Sequence, residues 1–184
     1  NGSGHISLRR TSGKQWTLKP QDLAVALELL TLERKWLPYR QLSEKLRLSQ
    51  YEVNAAVKRL LEARLLAQLD SGPAPVKRNL RDYVLHGAVF SFPPVRGSIT
   101  IGIPTAHSAA PFKKGLTRRD IPVVWPHPQG DVRGEALIPL YPGLPIVAAS
   151  DPPLYELLST FDVLRIGQAR EREVARQWLA KRLS

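Results

Sequence analysis

The sequence predicts an α+β protein: an N-terminal helical head closed by a β-hairpin, then a smaller proline-rich β or irregular unit, then two C-terminal helices. Three observations predict it. From Lys19 to Leu66 apolar residues recur at helical spacing, with proline only at Pro20 and Pro38. From Phe92 to Pro153 proline is dense and that spacing disappears. Beyond Pro153 it returns. The boundaries expected from these changes are a tag or extended arm over 1–18, a head over 19–78 and a second unit over 79–184.

The first helix is expected from Pro20 to about Glu33. Pro20 suits a first helical turn, where its missing N–H costs nothing. Leu23, Ala26, Leu27 and Leu30 form one apolar stripe. A second helix is expected from Pro38 to about Arg47, with Leu42 and Leu46 on one face. The third starts at Ser49, where Ser49 and Glu52 have the spacing of a capping box: the hydroxyl accepts the third residue's N–H and the carboxylate reaches back. Val53, Val57, Leu60 and Leu61 then make its inner face. A strand over Leu65–Leu69, a turn at Asp70-Ser71-Gly72-Pro73 and a returning strand at Val76 and Lys77 complete the head.

Three short helices followed by a hairpin is the order of a winged helix-turn-helix. The stretch YRQLSEKLRLSQYEVNAAVKRLLEARLL, Tyr39 to Leu66, resembles the helix-turn-helix core of MarR-like winged-helix regulators, in which a serine-rich turn leads into a helix ending in the same Lys-Arg-Leu pattern. The resemblance covers about one-seventh of the chain. It implies a DNA-binding module whose third helix enters the major groove. The long flanking helices through which MarR proteins dimerise have no counterpart, because proline fills the middle of this chain.

Helical geometry then names candidate contacts. With Val53, Val57 and Leu60 inside, the outer face carries Gln50, Tyr51, Asn54 and Lys58, following Ser49. Glutamine and asparagine pair with adenine, and tyrosine and lysine reach phosphate. Arg59 is expected at the groove margin. Tyr39 and Arg40 open the second helix, where a helix N-terminus favours phosphate. Lys77 and Arg78 are expected beyond the hairpin tip, entering the adjacent minor groove.

Charge points the same way. The chain carries a formal net charge of +11, which attracts polyanions. Residues 1–80 hold 14 basic against 7 acidic side chains; residues 81–184 hold 13 against 9. There is no cysteine, so disulfide scaffolds, thiolate metal sites and thiol catalysis are excluded. No run is apolar for long enough to span a membrane.

In the second unit Asn79 is expected to cap a helix with Leu80, Tyr83, Val84 and Gly87 on one face. GSITIGIP, Gly97–Pro104, alternates like a strand, with Ile99, Ile101 and Ile103 on one face. DIPVVWP and EALIPLYP are further candidate strands, cut short by proline. Lys113, Lys114, Arg118 and Arg119 form a basic loop, read either as solvated surface or as a second phosphate contact. Asp151 is expected to cap a helix whose stripe is Leu154, Leu157, Leu158 and Phe161. A last helix, about Gln168–Leu183, places Val174, Trp178 and Leu179 on one side.

Catalytic signals are lacking. His107, His127, Asp131 and Glu135 are the polar candidates, but no metal-ligand helix, phosphate loop or nucleophile elbow accompanies them. No catalytic residue, metal or cofactor is therefore expected. A small-molecule sensor pocket lined by Phe112, Trp125 and Tyr141 is a further possibility. The leading expectation is a cytoplasmic, homodimeric, sequence-specific double-stranded DNA-binding regulator, most naturally a repressor. The alternatives are a protein-interaction module of the antitoxin type, with a protein partner, and a plasmid replication initiator.

Overall fold

The computed structural model describes residues 15–33, 35–109, 112 and 121–184. The head begins with α1 (Pro20–Thr31), two residues shorter than expected, followed by α2 (Tyr39–Leu46) and α3 (Gln50–Glu62). The Lys19 backbone N–H donates to the Asp22 carboxylate at 2.8 Å, holding the first turn of α1. A single apolar stripe was expected on α1, yet every residue from Asp22 to Leu29 is buried. The reason is tertiary: α3, α7 (Pro152–Ile166) and the hairpin all pack against α1.

α2 ends on Arg47, which takes the left-handed conformation at φ 51°. The Ser43 hydroxyl donates to the Leu48 carbonyl at 2.6 Å and closes this turn. The capping box of α3 forms in full. The Glu52 N–H donates to Ser49 Oγ at 3.1 Å, and the Ser49 N–H donates to Glu52 Oε2 at 2.8 Å. Val53, Ala56, Val57 and Leu60 are buried against α1 and α2.

The hairpin pairs β1 (Leu66–Leu69) with β2 (Gly72–Pro75), antiparallel, around the two-residue turn Asp70-Ser71. The return strand therefore comes earlier than Val76 and Lys77. Gly72 makes the tight turn possible: its φ is +115°, and a Cβ there would lie 2.6 Å from Trp36 Cγ. Pro73 and Pro75 fit a strand with only one partner.

Lys77 is helical, at the start of α4 (Lys77–Tyr83), which continues through a π-turn (Val84–Ala88) into the short α5 (Val89–Ser91). Asn79 does not cap this helix. It lies inside the first turn, and its side-chain amide donates to the Arg64 carbonyl at 2.8 Å, fastening α4 to the end of α3.

In the middle unit β3 (Arg96–Pro104) runs antiparallel to both β4 (Val123–Pro126) and β5 (Val132–Leu137), and β4 runs parallel to β5. Each strand pairs with the other two, so the sheet closes on itself. Ile99 and Ile101 do share a face, and that face is exposed; Gly102 is buried instead. The segment EALIPLYP is strand only to Leu137, because the strand ends ahead of Pro139. The basic loop with Lys113, Lys114, Arg118 and Arg119 lies outside the described residues.

The tail holds α6 (Leu144–Ala149), unforeseen among its prolines, then α7 and α8 (Ala169–Arg182). Asp151 caps α7 by accepting the Leu154 N–H at 3.2 Å, and Leu154, Leu157, Leu158 and Phe161 are buried as its spacing predicts. On α8 the buried positions are Glu171, Ala175 and Leu179, whereas Val174 is exposed. The expected stripe was thus rotated by about one residue, because α7 receives the side that carries the small Ala175.

One contiguous apolar cluster runs from Leu23 to Leu183 and includes residues on both sides of position 78. Two polar ties fix the second unit to itself and to the head. Asp162 accepts hydrogen bonds from Thr105 Oγ1 at 2.6 Å and Trp125 Nε1 at 2.8 Å, and pairs with Arg165 at 2.5 Å. The Tyr141 hydroxyl donates to the Leu46 carbonyl at 2.8 Å, satisfying the end of α2. Among the described residues no helix is long and apolar enough to cross a membrane.

Candidate nucleic-acid interface

The outward face of α3 is built by its cap and its core. The capping box sets the first turn, and the four buried apolar residues set the rotation of the helix. What remains outside is a continuous face. Gln50, Tyr51 and Lys58 are exposed and Asn54 is half-buried beside them. Tyr51 is 83% exposed, so nothing among the described residues covers this surface.

Ser49 belongs to this face by position, but its hydroxyl is already engaged by the Glu52 N–H. The hydrogen bond from the Ser49 backbone, followed by that from its hydroxyl, holds the Glu52 carboxyl below its ordinary pKa, so Glu52 stays charged. The N-terminus of α3 is thus already occupied by an anion of its own, and contact with a second anion falls to the side chains.

The start of α2 differs. Pro38 precedes it with no side-chain cap, which leaves backbone N–H groups of its first turn open. Arg40 stands there, exposed, with Nε 3.1 Å from Glu44 Oε1. An ion pair this exposed contributes little and exchanges readily. Tyr39 is half-buried, its ring edge-on to Trp36 with centroids 5.3 Å apart. Burial raises its phenol pKa.

Three of the expected contacts stand elsewhere. Arg59 is turned inward to α1: Nε and one terminal nitrogen donate to the two Asp22 oxygens, each at 2.7 Å. That hydrogen bond raises the arginine pKa, and the guanidinium is spoken for within the fold. Lys77 and Arg78 lie at the base of the hairpin in α4, not beyond its tip, because the hairpin turn is only two residues long. Lys77 Nζ donates to the Ser184 carbonyl at 2.9 Å.

Two further cations border the α3 face in the chain: Arg47, which the sequence reading missed, and Arg64, which it counted toward the basic character of the helix without naming it a contact. Arg47 sits in the turn ahead of α3 and Arg64 just beyond its end; both are exposed, with φ of 51° and 58°. A basic residue at each end of a capped helix was the available signal. The three residues expected to line a sensor pocket, Phe112, Trp125 and Tyr141, are all buried, and the polar side-chain atoms of Trp125 and Tyr141 are satisfied internally.

No protein-family model matches the chain, and no curated protein or solved structure matches it either.

Proposed function

We propose that the chain is a sequence-specific double-stranded DNA-binding regulator whose head is a winged helix, with α3 as the recognition helix and the β1–β2 hairpin as the wing. The observation that carries this reading is the uncovered face of α3. Gln50, Tyr51, Asn54 and Lys58 share one side of a helix whose other side is buried in α1 and α2. Side chains that read base edges must reach solvent: Gln50, Tyr51 and Lys58 stand free, and Asn54 is partly exposed beside them. The open first turn of α2, with Arg40, supports a phosphate contact alongside. The charge of +11 supports salt-dependent attraction to the duplex.

In this reading the protein works in the cytoplasm as a homodimer, most simply a repressor, and meets two half-sites about one helical turn apart. Selection of bound duplexes from a random pool tests it. The expected result is a palindromic consensus bound with a steep decline in affinity as salt rises. Recovery of unenriched sequences, or affinity indifferent to salt, overturns it.

A second reading, a protein-interaction module of the antitoxin type, draws on the exposed Ile99 and Ile101 of β3. It predicts weak operator binding by the chain alone and a marked gain on adding a partner.

A further inference from the structure

We infer that the second unit contains a binding site for an organic carboxylate with an apolar body, in the cavity between the π-turn and the α7–α8 pair. The cavity has a volume of about 520 Å³, within the usual range for small-molecule sites. One wall is largely apolar: Leu85 and Leu164 are buried, Val89 is half-buried, and Phe90, 81% exposed, stands at the mouth, with the exposed His86 beside them. The other wall is cationic, with Arg172 and Arg176 on the first turns of α8. No acidic residue lines the cavity among the described residues.

The arginines differ in what they have to offer. Arg165 also borders the cavity, but it is committed to Asp162 and to the Phe92 carbonyl. Three of its five N–H donors are used in this way, and Asp162 offsets its charge. Arg176 pairs with Glu173 on the solvent side, both residues well exposed, an arrangement that exchanges at little cost. Arg172 has no carboxylate within ion-pair distance among the described residues. A guanidinium presents paired donors that match a carboxylate.

The helix wall is unusual in the way that binding sites often are. Val84–Ala88 is a π-turn, a form that is rare and recurs at functional sites. Gly87 holds it: a Cβ there would lie 2.7 Å from the Tyr83 ring, so the bulge is built around a residue without a side chain. An apolar wall, a cationic wall and no acid select charge and body together.

The test is calorimetric titration of the whole chain with octanoate, with octanol and acetate as partial ligands. This reading does not depend on DNA binding, since the titration contains no DNA. Expected is saturable binding of octanoate at least about tenfold tighter than that of either partial ligand, which corresponds to about 1.4 kcal/mol. Arg172→Glu, at an exposed position, is expected to weaken octanoate about tenfold or more and to leave octanol unchanged. Val89→Trp, which fills the cavity, is expected to abolish binding of both. No saturable binding, equal affinity for octanol and octanoate, or an Arg172→Glu variant that binds octanoate as well as the wild type overturns the assignment.

Discussion

The Arg59 guanidinium grips the Asp22 carboxylate through two hydrogen bonds of 2.7 Å each, joining the C-terminal half of α3 to the first turn of α1. Both side chains are largely withdrawn from water, at 12% and 1% exposed. A fork of this kind sets the angle at which α3 leaves the core, and so the direction in which Gln50, Tyr51 and Asn54 point.

Asp22→Asn leaves a sequestered guanidinium without its counter-charge. The expected loss is about 3 kcal/mol in urea unfolding, with Tm falling by roughly 6–12 °C. Replacing both partners, Asp22→Leu with Arg59→Met, is expected to recover most of it, because neither charge is then stranded. A single variant as stable as the wild type shows the pair to be dispensable.

Lys45 lies between two carboxylates, 2.6 Å from Asp151 and 3.2 Å from Glu28. Burial pushes the Glu28 carboxyl up to about 7, and the negative Asp151 adds to this against the pull of Lys45. Burial is the largest single influence on Asp151 and raises it, but the hydrogen bonds from Lys45 and the Leu154 N–H and the nearby Lys45 charge together outweigh burial, and Asp151 ends below its ordinary value. The folded protein therefore holds a proton on Glu28 that the unfolded chain releases near pH 4.5. Stability from this group is fully present below that pH and is lost as pH rises through 7. Between pH 4.5 and 8 the wild type should lose about 3 kcal/mol more than Glu28→Gln, in which the titration is absent. Parallel stability profiles for the two proteins would contradict this.

Gly72→Ala imposes two penalties at once: a left-handed backbone and a methyl group against Trp36. A destabilisation of about 2 kcal/mol is expected. Adding Trp36→Ala to that variant separates the causes, since relief of the clash leaves the backbone strain in place. If Gly72→Ala costs nothing, the hairpin turn has a different geometry.

Within the DNA-binding proposal, Asn54 and Lys58 should fail differently. Asn54→Ala is expected to cost about 1–3 kcal/mol on the preferred duplex and to relax the choice of base at one position. Lys58→Ala is expected to weaken all duplexes alike and to reduce the salt slope by about one. Competition binding at several salt concentrations distinguishes the two. Identical behaviour of both variants argues against base reading by α3.

Local signals read well where one short segment carried all the information. The Ser49–Glu52 capping box and the Asp151 cap both form between residues three apart, and both helices begin where their spacing says. The α3 inner face follows from the 3.6-residue repeat alone. Arg59 did not read well, because an outward or inward turn at the edge of that face depends on Asp22, 37 positions earlier. Lys77 was misplaced because Gly72 and Pro73 were read as turn, when they begin the return strand.

Periodicity, caps and composition act over a few residues, and they are enough to establish the order of elements in the head, the rotation of α3 and the basic charge of the chain. Long-range packing is what buries α1 on all sides, turns Ile99 and Ile101 of β3 outward, and sets a π-turn opposite two arginines of α8. Those outcomes depend on which distant surface arrives to cover a helix or strand, and no pattern within one segment encodes its neighbour.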